Sequence, residues 1–511
     1  MLSNLESFLT ALHLHHPWQT HTWSRNRALL CCQDHRLQTN SPIRPTYADS
    51  FRCIGSACED TCCQGWTVPV DRATFEKYQI LPESPLRVLI NASVARKSPC
   101  AAQAPDTTGH ADSGDAAFAT IRMNDANQCP LFTADRLCGI QTQLGESLLS
   151  HACATYPRIV HSRAGVEEKA LTLSCPEAAR LVLLAPDSLT TAAEPGPDAS
   201  FFPAEFWPIR STVLKVVRAR IYPLWQRLFL LDLLCRRLDS IASGQLKRSV
   251  PAVLADFASA VSTGALRPAL ETLPADLAAQ LDIVLRLAGL MLHKSNVRPR
   301  FVECIQFFTA GIGNGPGATL DTLAANYGRA HDRVYAPLVD RHPHIMENFL
   351  INTIVRCQFP FGKEGMLAGR QTNKTREFAL LAAQFTLMRG LLIGVAGHHG
   401  AAFATTHVVH TVQAASKHFE HHPEFLSMAH ALLVDRGMDS ARGLAILLRD
   451  AELKSAELRC AELRNAEKVQ ACGEATPAAL EISAAALPDE RSAWPPLAGR
   501  QPAPQGKAHP V

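Results

Sequence analysis

Between about residues 200 and 440, apolar positions recur every three or four residues along the chain. Val213, Val217, Leu224, Leu228, Leu231 and Leu238 mark one such face, with a break or kink expected at Pro223. The same period predicts helices over 253–261, 278–293, 376–395 and 408–419, and 301–310 also reads as helix. Residues 200–440 therefore form an expected all-helical domain. Asn348, Asn352 and Arg356 lie at i, i+4 and i+8, which predicts a polar, solvated helix face or, alternatively, a ligand-holding face between domains.

Upstream of about residue 185 the helical period gives way to short patterns. Residues 171–175 alternate like a strand, and Ser174-Cys175-Pro176-Glu177 reads as a helix start with proline in its first turn. Cys129-Pro-Leu-Phe132 and Leu137-Cys138-Gly-Ile140 look like two arms of one loop turning at Asp135-Arg136. A helical stretch is expected to open near Gln141 and to end at 154–158, because Pro157 disfavours helix in the residue before it. The expected fold class is mainly α, with a cysteine-rich metal-binding N-terminal domain of short strands and loops followed by the all-helical domain.

The boundaries follow from changes in texture. Residues 1–44 read as an N-terminal extension, 45–185 as the cysteine-rich domain with a flexible insertion at 98–119, and 185–200 as a linker. Residues 441–511 carry a five-residue repeat starting at Ala451, Ala456 and Ala461, followed by a Pro/Ala-rich end. Three copies are too few turns for a β-solenoid, so a charged exposed helix and then a disordered tail are expected.

Charge narrows the partners. With 50 basic and 47 acidic residues the net charge is +3, so no global field draws the chain to nucleic acid or to a membrane. No window reaches the ~18–20 uninterrupted apolar residues of a spanning helix. His13, His15 and His16 interrupt the apolar stretch near the start, which does not read as a secretory signal. A cytoplasmic setting with reduced thiols is the expectation.

That setting decides how the cysteines are read. Of 16 in the chain, eight are the ligand candidates: Cys53, Cys58, Cys62, Cys63, Cys129, Cys138, Cys153 and Cys175. Adjacent Cys62 and Cys63 rarely close a disulfide with each other, whereas either suits a metal. Cys100 falls in the insertion and is set aside. Thiolates at such spacings suit zinc or an iron–sulfur cluster, and eight allow two sites, or one site plus structural cysteines. Buried inert thiols are the alternative. Cys58 and Cys62 are followed at once by Cys63, so the three-cysteine cradle of a standard radical S-adenosylmethionine enzyme is not indicated.

The residues around these cysteines carry a resemblance. The run from Phe51 to Trp66, Cys129-Pro-Leu-Phe132, Leu137-Cys-Gly-Ile-Gln141, Cys153 with Tyr156-Pro-Arg158, and Leu173-Ser-Cys-Pro-Glu-Ala-Ala179 are similar to the flagellin lysine-N-methylase (FliB) family. His344-Ile-Met-Glu-Asn348 with Asn352, Phe359-Pro-Phe361, and Gln413 through His421 are consistent with it, so the likeness covers about 45–430. It implies S-adenosylmethionine-dependent N-methylation of flagellin lysines by a protein with a cysteine-bound iron–sulfur cluster. A broader likeness to small zinc- or iron-chelating proteins implies the alternative, a non-enzymatic metal carrier or redox-responsive partner, with zinc as the other metal. The extension, the insertion, the tail and Lys417, where the family pattern has Arg, depart from the resemblance.

Methyl transfer to lysine needs a neutral amine in line with the sulfonium methyl, while free lysine titrates near ~10.4. Glu59, Asp60, Tyr156 and Glu177 lie next to ligand cysteines and are candidate bases or sulfonium partners, or else hydrogen-bonding groups of the metal loops. Gly311-Ile-Gly-Asn-Gly-Pro-Gly317 looks like the cofactor loop of a Rossmann-type methyltransferase, but no strand–helix alternation surrounds it and it reads as a hinge or loop. Histidines 398, 399, 407, 410, 418, 421 and 422 read as surface groups on helices.

Overall fold

The computed structural model describes residues 43–96, 115–163, 165–191, 205–292, 297–362, 372–420, 422 and 424–450. The extension before residue 43, most of the 98–119 insertion, Cys100, His421 and the five-residue repeat lie outside the described residues.

Short strands and helices come first. β1 (Ile43–Pro45) is followed by β2 (Val68–Val70), α1 (Arg72–Gln79), α2 (Pro85–Ser93), β3 (Val94–Arg96) and β4 (Ala119–Ile121). Asp71 and Ser84 cap α1 and α2 by accepting amide protons from Thr74 and Arg87, and Pro85 sits in the first turn of α2, where it sacrifices no helical bond. The order β2-β4-β3 is antiparallel throughout. Val68, Val70, Tyr78, Ile90, Ile121, Leu131 and Ile140 fill a small core beneath this sheet.

The expected helix from 141 to 153 is two helices. α3 (Gly139–Leu144) stops at Gly145, whose φ of 86° ends the helix, and α4 (His151–Thr155) restarts at Ser150, which accepts the Cys153 amide proton. Of residues 171–175 only Leu171 is strand: the hairpin of β5 (Arg158–Arg163) and β6 (Val166–Leu171) ends there, and α5 (Pro176–Leu184) begins with Cys175 as its N-cap. Within the expected linker, β7 (Leu189–Thr191) pairs antiparallel with β1.

The helical region follows the sequence period closely. α6 (Phe206–Val217) and α7 (Leu224–Ala242) break at Pro223, and α8 (Val250–Ser262), α9 (Arg267–Glu271), α10 (Leu277–Leu292) and α11 (Pro299–Gly311) come next. The glycine run leads from α11 to α12 (Leu320–Ala330) as a loop between helices. α13 (Ala336–Arg341), α14 (His344–Arg356), α15 (Lys374–His399), α16 (Thr405–Phe419), α17 (Phe425–Asp435) and α18 (Ala441–Leu448) complete it. Ala441–Leu448, grouped with the tail by sequence, buries Leu444, Leu447 and Leu448.

α15 is the axis of the large core, with every residue from Phe378 to Ala396 buried, and α7, α10, α11, α12 and α17 pack around it. Lys374–Ala402 is long and apolar enough to cross a membrane, but its apolar window is entirely buried inside the protein. Tyr47, Phe51, Leu171, Leu173 and Val182 join this same core, so both ends of the cysteine-rich segment are anchored in the helical region.

The polar face predicted on α14 is the clearest correction. Asn348 and Asn352 are fully buried rather than solvated. Asn348 accepts from the Ser188 hydroxyl at 2.9 Å and donates to the Ala185 carbonyl at 2.6 Å, and Asn352 binds Tyr47 and Leu171. These side chains replace water with the backbone of the cysteine-rich segment.

Candidate metal centre

Three stretches of chain deliver the cysteines. The first is the loop from Phe51 to Trp66, where a one-turn helix at Gly55–Ala57 uses Gly55 at φ 57° to reverse the chain between Cys53 and Cys58. Trp66 Nε1 donates to the Cys62 carbonyl at 2.7 Å and closes the loop.

The second stretch runs alongside it. The Cys129 amide donates to the Cys63 carbonyl at 2.8 Å, and Gly65 donates to Asn127 at 2.8 Å. Phe132 and Cys138 then pair across the turn at Asp135-Arg136, as the two-armed loop predicts, with Arg136 at φ 60°. Arg136 donates to the Cys58 carbonyl and ties the two stretches together.

Helix termini supply the rest. Cys138 is the N-cap of α3, Cys153 lies in α4, and Cys175 is the N-cap of α5. All eight candidates line one cavity of about 410 Å³, together with Phe51, Trp66, Tyr156 and Arg158. All eight are free thiols, ranging from exposed Cys53 and Cys62 to buried Cys129 and Cys175. Among the described residues no three His, Cys, Asp or Glu side chains meet in a metal-holding group. The fold gathers the eight thiols into one lining without closing a ligand set.

Their electrostatics reflect crowding in a partly desolvated site. Burial pushes Cys58 and Cys129 up to about 11 and Cys153 and Cys175 up to about 12. Cys62 is raised by its hydrogen bond with Cys63 and then by burial. For Cys129 the neighbours Cys153, Cys138 and Cys62 add to the rise, and for Cys175 the amides of Ala178 and Glu177 oppose it. A cation among these thiols would reverse the balance, because a coordinated thiol is deprotonated. Soft sulfur donors from several segments around one cavity fit an iron–sulfur cluster or zinc by donor chemistry.

The four candidate bases are all engaged. Glu59 meets Arg180 at 2.7 Å, and although burial opposes it, Arg180 holds the carboxyl below its usual range. Glu177 lies 2.9 Å from the same guanidinium. Asp60 accepts from Lys417 at 2.5 Å and Gln413 at 2.7 Å. Tyr156 shares a hydrogen bond with Ser174, and burial raises its phenol well above the ordinary value. Residue-by-residue reading of the cysteine segment missed the basic groups supplied from elsewhere, Lys417 and Arg298. The Gln413–His421 motif was the visible signal for Lys417, and no motif marked Arg298.

The histidines are expected at the surface, and among the described ones His418 departs from this, while His398 is exposed and His399, His407, His410 and His422 are half-buried. His418 is buried, donates to the Met291 carbonyl at 2.6 Å and stacks on Phe301. His399 and His407 approach to 4.0 Å between ring centroids, and His410 lies 3.7 Å from Glu303.

Comparison with known proteins adds a family. Residues 210–447 match the model of the FliB lysine N-methylase C-terminal domain. The chain is 25% identical over 279 residues to the lysine-N-methylase of Salmonella typhimurium, and equally to that of Salmonella choleraesuis, covering 51% of this chain and 65% of each relative. It is 31% identical over 146 residues to the flagellar biosynthetic protein FliU of Salmonella muenchen, covering 28% of this chain and 78% of that protein. The match to the two lysine-N-methylases thus spans just under two thirds of their length. No solved structure matches the chain.

Proposed function

The chain belongs to the FliB lysine N-methylase family, and from that premise we propose that it methylates lysine side chains of flagellin with S-adenosylmethionine and carries an iron–sulfur cluster in the cysteine cavity. The observation that carries this reading is the convergence of all eight cysteines on one cavity, from segments up to 122 residues apart between Cys53 and Cys175 (175 − 53).

In the reaction a carbon–sulfur bond of the sulfonium breaks, a carbon–nitrogen bond to the lysine amine forms, and one proton leaves the nitrogen. The cavity supplies groups for each requirement. Trp66 and Tyr156, stacked 6.1 Å apart between ring centroids, offer aromatic faces suited to a cation. Glu146 is an acidic group in the lining able to accept the amine proton directly or through water, whereas Asp60 and Glu177 are held in ion pairs with Lys417 and Arg180. Arg180 holds Glu177 in place. The thiols would hold the cluster, which when bound would supply iron and a redox couple. A cytoplasmic setting, where thiols stay reduced, belongs to the same proposal.

The test uses the full chain purified anaerobically, with iron and acid-labile sulfide counted and visible absorbance recorded. It is then incubated with methyl-labelled S-adenosylmethionine and flagellin. Label on flagellin lysines is the expected result. Loaded protein that transfers no label would refute the methylase assignment and leave a metal carrier or redox-responsive module. A colourless protein holding stoichiometric zinc would refute the iron–sulfur assignment.

A further inference from the structure

One face of α16 grips the cysteine-rich segment at two places. Lys417 Nζ donates to Asp60 Oδ1 at 2.5 Å and to the Thr61 carbonyl at 2.8 Å. One turn earlier, Gln413 Nε2 donates to Asp60 Oδ2 at 2.7 Å and to the Ser174 carbonyl at 2.9 Å. Asp60 and Thr61 stand between Cys58 and Cys62, and Ser174 immediately precedes Cys175. A single carboxylate and two carbonyls thus fasten the loop cysteines and the helix-capping cysteine to one rigid helix.

We propose that Lys417 and Gln413 are positioning residues of the metal centre, setting the distance between the Cys58–Cys63 loop and Cys175. This inference rests on the reading that the cavity thiols hold a metal. Neither side chain lines the cavity, whereas Asp60, Thr61 and the cysteines do, so both residues act through the loop. The Lys417 side chain is 5% exposed and that of Asp60 15%, so little water competes for this pair. Two further contacts act in the same sense. Arg180 on α5 binds Glu59, next to Cys58, and Arg298 donates to the Gln64 carbonyl at 3.2 Å and to that of Gly65. Lys417, Gln413 and Arg298 of the helical region, together with Arg180 of α5, thereby supply the scaffold on which a loop with little regular structure holds its thiols in place, as outer-shell groups do for metal ligands.

The test compares wild type, Lys417→Met, Lys417→Arg and Gln413→Leu as full chains, with Lys169→Met, which removes the outlying Lys169–Asp49 pair, as a control. Each is reconstituted anaerobically with ferrous iron and sulfide, and iron content, visible absorbance and EPR spectrum are read alongside circular dichroism. Lys417→Met and Gln413→Leu are expected to lower iron affinity about tenfold and to alter the spectrum, with Lys417→Arg restoring most of both. A second arm needs no iron: alkylation of Cys58, Cys62 and Cys63, read by mass spectrometry before reconstitution, accelerates in Lys417→Met and Gln413→Leu and not in Lys169→Met.

Wild type that takes up no metal refutes the metal reading, while the alkylation arm still tests the grip of α16. Wild type that loads iron beside variants that load equally, with unchanged spectra and alkylation rates, overturns the positioning role. If Lys417→Met does not fold, Gln413→Leu and Lys417→Arg decide the question by the same readouts.

Discussion

The side-chain amide of Asn352 takes the place of a neighbouring strand at Leu171. Its Oδ1 accepts the Leu171 amide proton at 3.0 Å, and its Nδ2 donates to the Leu171 carbonyl at 2.8 Å. Oδ1 also accepts from the Tyr47 hydroxyl at 2.9 Å. The end of β6 and the chain leading into the cysteine loop are thereby pinned to α14.

Asn352→Leu fills a similar volume but strands three buried polar groups. The expected loss is about 3 kcal/mol of folding stability, since each unsatisfied buried group costs roughly 1–3 kcal/mol. Urea denaturation checks it. A variant within about 0.5 kcal/mol of wild type would show that the strand-like pairing is dispensable.

α11 and α15 touch backbone to backbone through glycines. A Cβ on Gly394 would lie 2.3 Å from Phe308 Cδ2, and one on Gly311 would lie 1.8 Å from the Gly394 carbonyl oxygen. Gly394→Ala should therefore force the helices apart and cost about 3 kcal/mol or more, beyond the few tenths that alanine gains in a helix. Thermal melting measures this, and a melting temperature equal to wild type would contradict the close crossing.

Stability should also fall in mild acid. His410, 11% exposed, is lowered to about 4, first by burial and then by Arg300, with Glu59 and Asp60 opposing. Its unfolded counterpart titrates near ~6.5, so between those values the unfolded chain binds the extra proton. Stability is full above about pH 6.5, declines as pH falls toward 4 and loses no more from this group below that, about 3 kcal/mol in all. Chemical denaturation from pH 4 to 7 on wild type and His410→Gln reads the difference; parallel curves would remove His410 as a cause.

Substitutions at the cysteines should divide by location. Cys62→Ser and Cys63→Ser lower metal content and folded yield together, because binding free energy contributes to folding. Cys304→Ala, buried in the helical core away from the cavity lining, leaves metal content unchanged. Unchanged metal loading in both Cys62→Ser and Cys63→Ser would exclude the adjacent pair as ligands.

How much of this was legible in sequence depends on the range of the forces involved. Although α9, α12 and α13 are not among the helices predicted, those at 213–238, 253–261, 278–293, 301–310, 376–395 and 408–419 and the break at Pro223 announce themselves, because a 3.6-residue period and a missing amide proton act locally. So does the two-armed loop around Asp135-Arg136. The polar face of α14 misled for the opposite reason. Asn348 and Asn352 look solvated on an isolated helix, and only the packing of β6 and the 185–188 segment onto them turns those amides inward.

The cysteine pattern by itself supplied the sulfur groups that the proposal uses and carried the family likeness, since residue type and spacing are properties of the chain. Tertiary structure alone decided that the thiols share one cavity and that Lys417, 357 residues beyond Asp60, fastens their loop. A contact across that separation leaves no local period to read. It forms only once the buried helices of the core have brought α16 against the loop, where a charge shut away from water must find its partner.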